Sequence, residues 1–145
     1  MDALLELRHI SKSYTNADGT PVPVLREVSL SITAGQRLAI VGPSGCGKST
    51  LLNLMGGLDR PTGGVVMMDN HELELMNDTE LARQRAMTVG FIFQQHHLLP
   101  QCSVLENVLI PTLVSGVNAS DRARQLLDRV GLGAHHNQRP AQLSG

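Results

Sequence analysis

A glycine-rich stretch constrains the fold of this chain more than any other feature. It reads Gly-Pro-Ser-Gly-Cys-Gly-Lys-Ser-Thr and occupies residues 42–50. An apolar run, residues 38–41, precedes it, and a leucine-rich run, residues 51–55, follows it. This order predicts a buried strand, a tight loop and then a helix, which is the setting that a phosphate-binding loop requires.

Each residue type in this loop has a physical role. Glycines let the backbone approach a polyphosphate closely, and the loop amides form an anion cradle with the positive end of the following helix. Lys48 is predicted to reach the β- and γ-phosphates as a catalytic residue, and the Ser49 hydroxyl is predicted to bind Mg²⁺. The alternative is a glycine-rich turn that binds nothing, but the motif in its setting favours nucleotide binding. The residues predicted to bind the nucleotide are Gly42, Pro43, Ser44, Gly45, Cys46, Gly47, Lys48, Ser49 and Thr50.

Composition narrows the class of protein. A hydrophobic content of 41% with 17% charged residues fits one globular domain, and a net charge of -1 gives no case for nucleic-acid binding. Cys46 and Cys102 do not form a disulfide framework, and oxidation of Cys46 would block the loop, so a reducing cytoplasm is expected. The sequence has no apolar run long enough for direct membrane insertion, so any membrane association is expected through a partner.

The elements around the loop indicate an α/β protein. Residues 4–10 alternate between apolar and polar side chains, and a second strand is predicted over residues 24–32. These strands suggest an antiparallel sheet beside an α/β core. Buried core strands are predicted over residues 37–41 and 88–93, and a helix is predicted to begin at Asp78.

Two polar residues outside the loop have competing interpretations. Tyr14, the only tyrosine, could stack on adenine or could be an amphipathic side chain at a strand end, and the loop downstream favours stacking. Gln94 follows a predicted core strand, where its amide could reach a metal-bound water at the phosphates. Taken alone, Gln94 is more often a solvated loop residue.

Two other sequence patterns resemble metal sites, but in each case an interpretation without a metal is favoured. Residues 65–68 followed by Asp69 have the form of a strand whose carboxylate holds Mg²⁺, yet a Pro/Gly turn comes just before them. An exposed turn aspartate in a hairpin is therefore expected. The histidine pairs at residues 96–97 and 135–136 lack the spacing of a zinc site.

Three phrases carry a resemblance to a known family: "VGPSGCGKSTLLNLMGGLDRPTGG", "VGFIFQQHHLLP" and "VLENVLIPTLVSGV". With the closing Gln-Leu-Ser-Gly, the chain resembles ATP-binding subunits of ABC transporters, in the lipoprotein-releasing and macrolide-exporter-type branch. The resemblance implies an α/β P-loop NTPase core with an N-terminal antiparallel β-subdomain, over residues 1–95. It also implies the beginning of the ABC helical subdomain, over residues 96–145, with the C-terminal part of the core missing.

The resemblance also implies roles for individual residues. Tyr14 would stack on the adenine of ATP, and Gln94 would sense the γ-phosphate and Mg²⁺. Ser144 and Gly145 would open the signature motif, which caps the ATP held by a second ATP-binding subunit in a head-to-tail dimer. Residues 104–117 would belong to the helical subdomain that contacts membrane permease subunits, which places the protein in the cytoplasm at the inner face of the membrane.

The activity implied is a transport-coupled ATPase. The family pattern continues after Gly145 with a Walker B aspartate, a catalytic glutamate and a switch histidine, so these 145 residues alone are expected to bind nucleotide at most. The alternative is a non-catalytic, truncated nucleotide-binding or interfering subunit. A GTPase or small-molecule kinase is disfavoured, because the chain has no Asn-Lys-x-Asp base-reading motif and because its closing Leu-Ser-Gly speaks against both classes.

Overall fold

The computed structural model describes residues 3–114 and 116–143, and their contacts divide the chain into two units, Met1–Val89 and Gly90–Gly145. The predicted subdomain boundary between residues 95 and 96 stays a prediction. The first unit contains β1 (Ala3–Thr15), β2 (Pro21–Thr33), α1 (Lys48–Met55), β3 (Gly63–Met68), β4 (His71–Glu72) and α2 (Asp78–Thr88). The second unit contains α3 (Val104–Leu109) and α4 (Ser120–Arg129), with short 3-10 turns at residues 110–113, 133–135 and 140–142.

The strands of the first unit form one antiparallel sheet in the order β2-β1-β3-β4. This confirms the predicted antiparallel β-subdomain. The turn between β3 and β4 places Asp69 and Asn70 at φ 48° and 61°, and both residues are exposed. Two successive positive φ angles are typical of a tight hairpin turn, in which Asp and Asn are favoured. The prediction of an exposed turn aspartate is therefore confirmed.

A bulge in β1 changes which residues face the core. Leu7 is 1% exposed and Ile10 is 0% exposed, although residues three apart in a regular strand lie on opposite faces. His9, at φ 51°, is the extra residue of the bulge, and the β1–β2 register shifts between Leu7 and Ile10. The regular alternation predicted for residues 4–10 is therefore wrong at this point.

The main hydrophobic core belongs to the first unit. It lies where one face of the sheet meets α1, the 3-10 turn at residues 73–75 and α2. Its buried members are Leu7, Ile10, Leu25, Leu54, Val66, Met68, Leu73 and Leu81. Leu54 lies on α1 and is 0% exposed, so the core fixes the helix that begins at the glycine-rich loop. A second, smaller group of buried side chains, in the second unit, consists of Val104, Ala123 and Leu127.

The two predicted core strands are not strands in the described chain. Residues 37–41 have no regular secondary structure and no hydrogen-bonded neighbour strand, and the same holds for residues 89–93 after the end of α2. Val41 is 87% exposed and Ile92 is 102% exposed, so neither apolar segment is buried. A β-strand needs a paired backbone and a cover on its faces, and an apolar run supplies neither by itself.

The sequence pattern predicts helices over residues 104–117, interrupted by Pro111, and over residues 120–130. The first stretch is helical to Leu109 and continues as a 3-10 turn that contains Pro111 near its start, so the predicted interruption is confirmed. Proline removes a backbone donor and disturbs the preceding turn, which explains the change in helix type. Within residues 3–114 and 116–143, no helix combines the length and the apolarity needed to cross a membrane.

Candidate phosphate-binding site

The glycine-rich loop lies in the first unit and leads directly into α1. Gly47 is the N-cap of α1 and has φ 92°, a backbone conformation that residues other than glycine rarely adopt. A Cβ atom at Gly47 would lie 3.0 Å from both Val24 Cγ1 and Leu25 Cδ2. The glycine therefore allows the loop to pack closely against β2, and this contact ties the loop to the sheet.

The side chain of Lys48 folds back into this loop. Its Nζ atom donates hydrogen bonds to the carbonyl oxygen of Gly42 at 2.9 Å and to that of Pro43 at 2.7 Å. The same atom lies 3.7 Å from Cys46 Sγ. The loop thus surrounds an ammonium group that two neutral carbonyls hold, and an anion entering the loop would meet a positive charge at its centre.

The N-terminus of α1 is left open, unlike those of two other helices in the chain. No side chain caps it and no acidic residue lies in its first turn. In contrast, α2 and α3 both begin with complete capping boxes, built from Asn77 with Glu80 and from Ser103 with Glu106. The first N–H groups of a helix have no partner within it, and the positive end of its dipole disfavours a lysine there. An anionic ligand would satisfy the free amides and offset the unfavourable charge of Lys48.

The next residues supply oxygen donors. Ser49 is exposed in the first turn of α1, and Thr50 is half-buried beside it. Mg²⁺ prefers hard oxygen ligands and keeps several waters, so a single hydroxyl next to a phosphate site fits its chemistry. Ser49 is the residue in this loop that would hold the ion, alongside phosphate oxygens and water.

A second polar cluster in the same unit fixes Tyr14. The Tyr14 hydroxyl donates to Asp59 Oδ2 at 2.8 Å, and Lys12 Nζ donates to Asp59 Oδ1 at 2.6 Å. Burial raises the pKa of Asp59, but hydrogen bonds from Lys12, Tyr14 and the Arg60 backbone N–H outweigh it and hold that pKa below its ordinary value. The carboxylate is therefore charged at neutral pH and joins both side chains.

Sequence patterns did not single out Lys12 and Asp59, the two residues in this cluster with Tyr14. Lys12 carried one usable signal, since it is the only lysine besides Lys48 and stands two positions before the only tyrosine. Strand periodicity places such a pair on one face. Asp59 had no comparable signal, because a carboxylate in a turn-like segment is ordinarily a solvated turn residue.

The remaining predicted site residues lie elsewhere in the chain. Gln94 is exposed in the second unit, so its approach to the loop stays a prediction. Ser144 and Gly145 lie outside the described residues. Residues 42–50 and Tyr14 both lie in the first unit.

Comparison with known proteins gives consistent matches over nearly the whole chain. The lipoprotein-releasing system ATP-binding protein LolD of Idiomarina loihiensis is 46% identical over 147 residues, which cover 99% of this chain and 64% of that protein. LolD 1 of Rhodopirellula baltica is 49% identical over 145 residues, covering 98% of this chain and 63% of that protein. The chain therefore spans less than two thirds of the length of these relatives.

A solved structure agrees with the sequence matches. The ATP-binding cassette MJ0796, in a dimeric post-hydrolysis state bound to ADP and Pi, superposes with a TM-score of 0.83 at 35% identity. The match covers 97% of this chain and 63% of that one. A family profile described as "ABC transporter" matches residues 25–145. Because this profile covers more than half of the chain, the chain belongs to the ABC transporter family.

Proposed function

We propose that the full-length protein is the ATP-binding, energy-coupling subunit of an ABC transporter for lipoprotein release or export. The observation that carries this proposal is the start of α1, where an uncapped helix N-terminus and the ammonium of Lys48 converge inside one loop. This combination binds a polyphosphate through backbone amides and one cation. ATP is the nucleotide proposed, with Mg²⁺ as its counter-ion.

The loop geometry suggests how binding proceeds. The carbonyls of Gly42 and Pro43 hold the Lys48 ammonium at 2.9 and 2.7 Å. Phosphate oxygens carry negative charge and form stronger hydrogen bonds with an ammonium than neutral carbonyls do. Lys48 therefore exchanges its loop carbonyls for the β- and γ-phosphates, while the first amides of α1 donate to the same oxygens. Ser49 would hold Mg²⁺ through its hydroxyl, Gln94 is proposed as a further ligand on the basis of the sequence resemblance, and Tyr14 would stack on the adenine.

The relatives support the biological setting. Two of them are named as ATP-binding proteins of a lipoprotein-releasing system, and the MJ0796 cassette is dimeric with ADP and Pi bound. We accordingly propose a head-to-tail dimer in which Ser144 and Gly145 of one subunit cap the ATP of the other. The 145 residues alone are proposed to bind ATP without turning it over, because they offer no convincing carboxylate to activate water.

The membrane partners are proposed to be permease subunits. Residues 104–117 end in a segment with exposed apolar side chains, since Leu113 is 76% exposed, Val114 52% and Val117 62%. Exposed apolar side chains grouped in one segment support a protein contact. The protein would then lie in the cytoplasm, at the inner face of the membrane, through the permease.

The test compares the ATP affinities of the full-length wild type and its Lys48→Ala variant, measured by calorimetric titration. Removing an ammonium that makes charge-assisted hydrogen bonds to phosphate costs about 3 kcal/mol, so Lys48→Ala is expected to weaken ATP binding about 100-fold. The matched control is Arg26→Ala, which removes one positive charge from an exposed position of β2. That variant is expected to bind ATP like the wild type.

The outcomes separate specific binding from general electrostatics. A selective loss in Lys48→Ala supports the proposal. Wild-type affinity in Lys48→Ala would overturn it, and an equal loss in both variants would show that only the net charge matters. Absence of ATP binding by the wild type would overturn it as well.

A further inference from the structure

The cluster around Asp59 contains a lysine that the phosphate site does not use. Lys12 is 8% exposed, and its Nζ atom donates to Asp59 Oδ1 at 2.6 Å and to the carbonyl oxygen of Arg60 at 2.7 Å. Burial of an ammonium group is unfavourable unless it is paired and hydrogen-bonded. An ordinary core position would be filled at lower cost by an apolar side chain, so the pair has a specific structural task.

The pair fixes the ring of Tyr14 at two points. The Tyr14 hydroxyl donates to Asp59 Oδ2 at 2.8 Å, on the same carboxylate that binds Lys12. Lys12 Nζ also lies 4.9 Å from the centroid of the ring, within the range of a cation–π contact. Tyr14 is nevertheless 42% exposed. Asp59 and Lys12 thus fix the hydroxyl group and the orientation of the ring, while the exposed part of the ring stays accessible to a ligand.

The position of the ring relates it to the phosphate loop within one unit. Tyr14 pairs with Val22 in the β1–β2 register. Val24, two residues further along β2, packs so closely against Gly47 of the loop that a Cβ atom at Gly47 would lie 3.0 Å from Val24 Cγ1. Two residues of a strand span about 7 Å. Tyr14 therefore lies on the strand pair against which the loop packs, two β2 residues away from the contact with Gly47.

We propose that Lys12 and Asp59 are positioning residues for the base of the nucleotide: they hold the Tyr14 ring in the orientation in which it stacks on adenine. This inference rests on the proposed function, because it assigns a task to residues beside the same site. The two residues do not touch the ligand themselves. Their effect passes through Tyr14, and it concerns the base and not the phosphates.

The test compares two ligands that share phosphates but differ in the base. ATP carries adenine, whereas inorganic tripolyphosphate offers only the phosphate chain. The affinity of the full-length protein for each is measured in Lys12→Met and Asp59→Asn. Each variant is expected to lose about fivefold in ATP affinity, the size of a lost aromatic stacking contact, and to bind tripolyphosphate like the wild type. Retained tripolyphosphate binding also shows that the variant is folded.

The control is an ion pair on the same strand that does not touch Tyr14. Arg8 and Glu6 of β1 form an exposed pair at 2.7 Å, and Glu6→Gln is expected to change neither affinity. If Asp59→Asn does not fold, Tyr14→Phe serves instead, because it keeps the ring and removes only its hydrogen bond to Asp59. It is expected to lose ATP affinity selectively, though by less than fivefold.

The possible results are distinguishable. Unchanged ATP affinity in the folded variants would overturn the inference and leave the proposed function standing. Equal losses for ATP and tripolyphosphate would assign the pair to general support of the unit, which also overturns it. A wild-type protein that binds neither ligand would overturn the proposed function together with this inference.

Discussion

Gly64 of β3 passes over the bulge at His9 of β1 so closely that a Cβ atom would overlap the His9 carbonyl oxygen and lie 2.5 Å from that of Arg8. Both residues have positive φ, 89° for Gly64 and 51° for His9. The bulge turns Ile10 and Lys12 toward the core, because it shifts the alternation of β1 by one residue. Glycine in β3 thus permits the strand geometry on which the position of Tyr14 depends.

Replacement of this glycine is expected to be costly. Gly64→Ala places a methyl group against two backbone oxygens, which cannot move as a flexible side chain can, and adds the penalty of a left-handed conformation. We expect a loss of about 3 kcal/mol in the free energy of unfolding, measured by urea denaturation. The control is Gly19→Ala, at φ 83° with no atom within 4 Å of the added Cβ, which should lose only about 1 kcal/mol. Equal losses in the two variants would contradict the role of close packing.

The Asp59 carboxylate predicts a pH-dependent stability. Its pKa is lower in the folded protein than its ordinary value, since its hydrogen bonds outweigh the effect of burial. A carboxylate with a depressed folded pKa stabilises the fold above its unfolded pKa of about 3.9, and this contribution is lost as the pH falls through the folded pKa. Wild type should therefore be more stable than Asp59→Asn near neutral pH, and the difference should shrink in acid.

The measurement is urea unfolding of both proteins over a range of pH from neutral to strongly acidic. Other carboxylates are present in both proteins, so their contributions cancel in the difference. Asp69→Asn serves as the control, because Asp69 is an exposed turn residue and asparagine accepts the same conformation. A wild-type advantage over Asp59→Asn that stays constant down to strong acid would contradict the prediction.

Local patterns predicted the parts of the fold that depend on neighbours in sequence. The helix after the loop, the hairpin turn at Asp69 and the start of α2 at Asp78 were all predictable, because glycine, turn and capping chemistry act over a few residues. The strands predicted at residues 37–41 and 88–93 were wrong for the described chain. A core strand requires partners distant in sequence, and an apolar run cannot show whether they are present.

The candidate site divides in the same way. Residues 42–50 could be assigned from sequence, since one motif determines both the backbone shape and the chemistry of the loop. The contact between Lys12 and Asp59 spans 47 positions and depends on the shift of alternation at His9. No periodic pattern predicts that shift, because a bulge is set by packing between strands. The sequence therefore indicated Tyr14 but not the residues that hold it.

The exposed thiol of Cys46 gives a last prediction about the loop. Cys46 is exposed within the loop, whereas Cys102 is partly buried in the second unit. A maleimide should therefore react faster with Cys46 than with Cys102, and bound ATP should cover Cys46 only. At an ATP concentration about ten times Kd, modification of Cys46 should slow about tenfold, in proportion to the fraction of protein left unbound.

Peptide mass mapping of the alkylated full-length protein, with and without ATP, measures both rates in one experiment. Cys102 is the internal control, because a general tightening of the structure would slow both cysteines together. Cys46→Ser keeps a small polar side chain in the loop, so maleimide treatment should abolish ATP binding in the wild type and leave this variant able to bind. If alkylated wild type binds ATP as tightly as untreated protein, the phosphates do not occupy the loop around Cys46, and the assignment of residues 42–50 is wrong.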